Sequence, residues 1–227
     1  MPSGGKLLLC YVTDRGSLPG PSGQGLTAAL LARIEAAAAA GVNWIQVREK
    51  DLSGKDSASL TKQALQRVSR HSTSAPVPTR ILVNGRLDVA LSERAGGVHL
   101  GEDSLPVFEA RRFLRELQSP PADFLVGVSC HSVEAAKAAA AAGADYIFFG
   151  PVFATPSKAA FGAPQGLNRL AEVCRSLGIP VLAIGGITLA NAASCFCAGA
   201  SGIAAIRLFQ EATDLTAIVR AIRQQLS

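Results

Sequence analysis

Aromatic and charged side chains are scarce in this chain of 227 residues: aromatics make up 5% and Asp, Glu, Lys and Arg together 17%. One Trp and two Tyr provide little material for base stacking, which argues against single-stranded nucleic acid as a ligand. A charge-driven disordered chain is excluded too, because 48% of the residues are hydrophobic, near the globular norm. The five cysteines, Cys10, Cys130, Cys174, Cys195 and Cys197, are odd in number and include no C-x-x-C pair, against both a disulfide framework and a zinc site. Most read as buried thiols acting as small hydrophobes, with Cys130 the exception. No stretch approaches the ~20 apolar residues of a membrane span. The N-terminal MPSGGKLLLCYV reaches Asp14 and Arg15 before a signal-type apolar region is complete, so a cytoplasmic protein is expected. The net charge of +5 is scattered, with no run of five basic residues, and points to small anions rather than nucleic acid or membrane.

What the chain has in quantity is Ala, Leu, Val and Ile, set out as short apolar runs alternating with helical patterns. Strands are predicted over residues 7–12, 44–48, 81–83, 97–100, 125–129, 146–149, 181–184 and 202–206. Helices are predicted over 26–40, 55–69, 87–95, 107–117, 133–142, 167–177, 189–198 and 215–225. Eight consecutive βα units without an antiparallel interruption predict an α/β protein, a closed (β/α)8 TIM barrel forming a single domain over residues 1–227. An open doubly wound sheet is the alternative. Gly41, Gly96, Gly143 and Gly199 recur at roughly 50-residue spacing before the second, fourth, sixth and eighth strands. They read as helix-terminating C′ residues, each closing a quarter of the barrel.

Three connections are longer than such a fold needs: 16–25, 71–79 and 151–166. The second follows a helix and reads as a linker on the N-terminal face, with His71 at the surface. The first and third follow strands and are candidate lids at the C-terminal mouth, where barrel active sites lie. Polar residues at the strand ends converge on that mouth: Thr13, Asp14 and Arg15; Gln46, Arg48 and Lys50; Asn84; Glu102 and Asp103; Ser129 and His131; Thr155, Ser157 and Lys158; Gly185 and Gly186; Arg207. Gln46, Arg48 and Lys50 alternate, so they are expected on one face of a strand as an anion site. The competing reading is an exposed strand end with Glu49 and Asp51 as ion-pair partners. The paired glycines of AIGGIT and the end of the eighth strand suit a backbone phosphate site. Lys158 reads as an anion ligand or as a solvated loop lysine. His131 reads as a proton shuttle or as a helix-start residue beside Ser132. His99, inside an apolar run, reads as a hydrogen-bonded core residue.

The segments WIQVREKDLSG, ILVNGRLDVALSERAGGVHLGEDSLP, VGVSCHSVEAAKAAAAAGADYIFFGPVFATPSK and VLAIGGIT resemble, in order from Tyr11 to Phe209, the signatures of the thiamine phosphate synthase and thiazole tautomerase (TenI-like) family. The resemblance implies a (β/α)8 enzyme of thiamine biosynthesis with small phosphorylated pyrimidine and thiazole substrates and no organic cofactor. It assigns the stretch from Gln46 to Lys50, with Val47, Arg48 and Glu49 inside it, together with Asn84, Ser129 and Lys158, to the aminopyrimidine diphosphate. Thr155, Pro156, Ser157, Gly185, Gly186, Ile206 and Arg207 fall to thiazole phosphate. Arg48, Lys50 and Lys158 would carry the diphosphate departure. The pattern departs at Gly85 and Ser104, where synthases place the two aspartates of a Mg²⁺ site; Glu102 and Asp103 are the neighbouring substitutes, and Arg86 a replacement for some of the ion's charge. Arg207 stands where a small residue is usual. A metal-independent tautomerase with His131 as shuttle is the rival reading, and a non-catalytic phosphate-binding paralogue the third. The retained set of Gln46, Arg48, Lys50, Ser129 and Lys158 ranks the synthase first. A homodimer is compatible with all three.

Overall fold

Eight parallel strands pair in chain order: β1 (Leu8–Val12), β2 (Trp44–Val47), β3 (Arg80–Asn84), β4 (Gly97–Leu100), β5 (Leu125–Cys130), β6 (Tyr146–Phe149), β7 (Val181–Ile184) and β8 (Gly202–Ala205). The last returns to the first, with Leu8 opposite Gly202, so the barrel is closed and the open sheet is excluded. The computed structural model describes residues 7–19, 25–70, 78–101, 104–119, 121–155 and 163–225. His71, Glu102, Asp103, Pro156, Ser157 and Lys158 lie outside the described residues.

The helices are α1 (Leu26–Ala39), α2 (Gly54–Ser69), α3 (Leu87–Ser92), α4 (Val107–Glu116), α5 (Val133–Ala141), α6 (Gly166–Ser176), α7 (Leu189–Cys197), α8 (Arg207–Gln210) and α9 (Leu215–Gln224). The short α8 and a 3₁₀ turn over Arg15–Ser17 were not predicted, being too brief to show an apolar period. Strands β2 and β8 each end one residue earlier than expected. Helix α3 stops at Ser92 instead of residue 95, which corrects the reading of Gly96. The left-handed C′ residue of α3 is Arg94, with φ 55°, and its N–H bonds Leu91 O at 3.2 Å while Ala95 N–H bonds Ala90 O at 2.8 Å. The same pair of bonds closes α1, α5 and α7 through Gly41, Gly143 and Gly199, where glycine carries φ above 85° without strain.

Alternation along the strands sorts the core into two layers. One face lies under the helices, with Leu9, Tyr11, Ile45, Val47, Val83, Val126, Ile147, Phe149 and Ile203. The other fills the barrel with Cys10, Val12, Trp44, Leu82, Tyr146, Phe148, Leu182 and Ala204. Three large rings fit there because small residues face them. A Cβ at Gly127 would fall 1.9 Å from the Tyr146 ring, so the bare backbone of β5 makes room for β6.

At the N-terminal end, residues just before the even strands complete the ladder. Asn43 N–H donates to Leu9 O at 3.0 Å, and Asn43 Oδ1 accepts Leu9 N–H at 3.0 Å. Asp145 repeats this half a barrel away, donating to Val126 O at 2.8 Å and accepting Val126 N–H at 2.6 Å. An arginine backs each: Arg223 reaches Gly41 O at 2.8 Å and Asn43 Oδ1 at 3.4 Å. Arg111 reaches Gly143 O at 2.8 Å and pairs with Asp145.

Candidate active site

The opposite end collects the polar side chains. Gln46, on the inner face of β2 and 2% exposed, donates from Nε2 to Asn84 Oδ1 at the end of β3 at 2.8 Å. Beside Asn84 in register stands His99 of β4. Its Nδ1 lies 3.0 Å from Tyr146 Oη and its Nε2 2.9 Å from Ser129 Oγ, and its ring packs on Phe148 at 4.2 Å between centroids. Burial pushes the His99 pKa down from 6.5 to about 3, and the nearby Arg48 charge pushes the same way, so this imidazole is neutral. The expectation that His99 is a hydrogen-bonded core residue holds. Tyr146, whose hydroxyl burial holds well above its ordinary pKa, was not singled out in sequence, although alternation in YIFF places it inward.

Arg48 directly follows β2, and Lys50 sits exposed in the next turn. The expected row of three on one strand is therefore Gln46 with Arg48 beyond it, and Lys50 a loop cation. Val47 and Glu49 have the opposite parity. Val47 packs under the helices, and Glu49 accepts from Thr13 Oγ1 at 2.6 Å and pairs with Arg15 at 3.2 Å. Glu49 and Asp51 thus do form ion pairs, but with Arg15 rather than with the β2 cations. Gln210 of α8, 2% exposed, accepts from Tyr11 Oη at 2.9 Å and donates to Asp14 O and Ser17 Oγ at 2.8 Å each. No sequence signal marked it, since a lone glutamine in a four-residue helix has no pattern around it.

His131 lies between β5 and α5, beside Ser132, which caps α5 by accepting Ala135 N–H at 3.0 Å. Its Nδ1 meets Gly150 O. A carbonyl only accepts, so Nδ1 is the donor and carries a proton. Gly185 and Gly186 follow β7 with φ of 93° and 67°, and Gly186 approaches so closely that a Cβ would stand 2.6 Å from Ala154 O. Phe153 N–H donates to Gly185 O at 3.0 Å, which brings the segment ending at Thr155 against this turn. Asn191 of α7 fixes the turn from behind, donating to Gly186 O at 3.0 Å. Ile206 caps α8 and its side chain reaches the barrel interior, while Arg207 is exposed.

The described residues do not fit a magnesium ion. Gly85 has no side-chain ligand, Asn84 Oδ1 is taken by Gln46, and Ser104 Oγ donates to Gly101 O at 2.8 Å. No three His, Cys, Asp or Glu side chains among the described residues converge on one point. Arg86 is turned to Asp88, with Nε 2.9 Å from Oδ1. Among the described residues no helix is long and apolar enough to cross a membrane.

A closed (β/α)8 barrel with paired amides, an arginine and a neutral imidazole gathered at its C-terminal mouth belongs to the class of small-molecule barrel enzymes. The model of the thiamine monophosphate synthase family matches residues 9–209. The chain belongs to that family. A thiamine-phosphate synthase of Methanoculleus marisnigri is 42% identical over 205 residues, 90% of each chain. One of Roseiflexus sp. (strain RS-1) is 42% identical over 221 residues, 97% of this chain and 85% of that protein. Among solved structures, a thiamine phosphate pyrophosphorylase from Pyrococcus furiosus superposes with a TM-score of 0.79 at 29% identity, covering 97% of this chain and 95% of that one.

Proposed function

We propose that the protein is a thiamine-phosphate synthase, a transferase that couples hydroxymethylpyrimidine diphosphate to thiazole phosphate, giving thiamine phosphate and diphosphate. The observation that carries this reading is the adjoining pair of hydrogen-bonded sets at the mouth, Gln46 with Asn84 and Ser129 with His99 and Tyr146, next to Arg48. Four of these are residues that the family pattern assigns to one substrate. In the reaction the bond between the pyrimidine methylene and the diphosphate oxygen breaks, and its electron pair leaves with the diphosphate. The ring amino group delocalises the resulting cation, and the thiazole nitrogen supplies the electron pair of the new C–N bond. Arg48, Lys50 and Lys158 take up the leaving group's charge, and the paired amides of Gln46 and Asn84 orient the pyrimidine. The backbone of Gly185, Gly186 and Ile206, with Thr155, Pro156, Ser157 and Arg207, receives the thiazole phosphate. Glu102 and Asp103, rather than Gly85 or Ser104, would hold a magnesium ion, which would supply countercharge to the leaving diphosphate. The proposal includes a cytoplasmic setting, small phosphorylated partners rather than nucleic acid or membrane, and a homodimer as the assembly.

The test is diphosphate release and thiamine phosphate formation by the purified protein, with Mg²⁺ and then with chelator. Product in either condition supports the synthase, and a Gly85→Asp/Ser104→Asp variant should strengthen its Mg²⁺ dependence. Space around Gly85 is open, and Asp tolerates its φ of 70° better than most residues. The orientation of His131 by Gly150 O favours one second reading, isomerisation of a thiazole carboxylate phosphate with Nε2 moving the proton. His131→Ala should abolish that activity and leave coupling intact. No coupling in either condition overturns the synthase, and retained diphosphate binding without any turnover identifies a binding paralogue.

A further inference from the structure

Thr13, Arg15 and Glu49 stand at the mouth with their polar groups turned to one another and to the β2 backbone. Thr13 is fully buried, and its N–H donates to Gln46 O at 2.9 Å. Its hydroxyl hydrogen goes to Glu49 Oε1 at 2.6 Å, and Thr13 Oγ1 in turn accepts the Arg48 peptide N–H at 2.9 Å. Glu49, with a side chain 4% exposed, also accepts the Arg15 peptide N–H at 3.0 Å and its guanidinium at 3.2 Å. The outer edge of that guanidinium holds Asp51 at 2.9 and 2.7 Å.

Two physical consequences follow. The β2 ladder ends at Val47, so the Arg48 N–H takes the Thr13 hydroxyl as its acceptor, and the peptide from which Arg48 projects is fixed by a side chain of another strand. A nearly buried carboxylate one residue from Arg48 would also compete with an anionic substrate for its charge, unless another cation took it up. Arg15 is that cation. We propose that Thr13, Glu49 and Arg15 form a positioning clamp for Arg48, which fixes its backbone and removes the Glu49 charge from the diphosphate-binding cations. The clamp rests on the assignment of Arg48 to the diphosphate.

Thr13→Val keeps the side-chain shape and removes the hydroxyl, whereas Thr13→Ser retains it. Calorimetry with inorganic diphosphate and steady-state kinetics for each substrate read the effect. In Thr13→Val, diphosphate binding and kcat/KM for the pyrimidine diphosphate fall about tenfold, the size of one lost hydrogen bond at a charged group. KM for thiazole phosphate stays unchanged, and Thr13→Ser recovers wild-type values. Arg15→Gln serves if Thr13→Val does not fold: it leaves the Glu49 charge uncompensated and weakens diphosphate binding most at low salt. Unchanged diphosphate binding in the folded variant, or equal losses for both substrates, overturns the clamp. Arg48→Ala separates the two levels of the argument. If it binds diphosphate normally, the site assignment fails. If only Arg48→Ala loses binding, the clamp fails and the assignment stands.

Discussion

The two ends of the barrel use polar residues in different ways. At the N-terminal end Asn43 and Asp145 spend their side chains on backbone groups that the strand ladder leaves unfinished. At the C-terminal end Gln46 bonds Asn84, His99 bonds Ser129, and Thr13 bonds Glu49 as well as the Arg48 N–H, so side chains there hold one another in addition to backbone. The first arrangement stabilises the barrel whatever passes through its mouth. The second stores donors, acceptors and charge where a ligand can exchange one partner for another, at some cost in stability. Under the proposed function, the difference assigns the chemistry to the C-terminal mouth.

The comparison breaks if an inner mouth residue proves structural. Arg48→Ala should lower kcat/KM for coupling by about a hundredfold or more, with the denaturant midpoint of unfolding held near the wild-type value. The reverse is expected of Asn43→Ala, which leaves the buried Leu9 N–H without its acceptor. Chemical denaturation should show a loss of about 2 kcal/mol, while kcat and KM of the folded enzyme remain unaltered. A smaller effect sharpens the contrast through pH. The folded pKa of His99 is depressed to about 3 from 6.5, so the unfolded chain binds the extra proton between those values. Its contribution is fully present above about pH 6.5 and is lost progressively as the pH falls toward 3. His99→Gln should therefore flatten the decline in stability over that window. A wild-type and a variant curve of the same shape would remove His99 from the account.

The barrel was legible in the sequence because each βα unit carries its own period, and all eight predicted strands begin and end within one residue of the observed bounds, with β3 one residue wider at each end. Gly96 misled because a glycine beside Ala95 looks like a helix terminus, although the helix had already turned at Arg94. At the mouth, parity placed Gln46 and His99 correctly, since alternation is local. The bonds from Thr13 to Glu49 and from Tyr11 to Gln210 join residues 36 and 199 positions apart. Such pairs depend on the register between strands and on the return of β8 to β1, which no local pattern encodes. Lys50 was placed on a strand that ends three residues sooner, because charged residues continue the alternation after the ladder stops.

The two arginine supports at the closed end have unequal reach along the chain. Arg111 finds Gly143 O only 32 residues ahead, within material translated almost together. Arg223 reaches back 182 residues to Gly41 O. On the ribosome the first quarter of the barrel must therefore wait for the last helix before its lower edge is secured, whereas the third quarter can close early. A chain that stalls or is cut before α9 keeps all eight strands but leaves Gly41 O and Asn43 Oδ1 without Arg223 at the start of the β1–β2 pair.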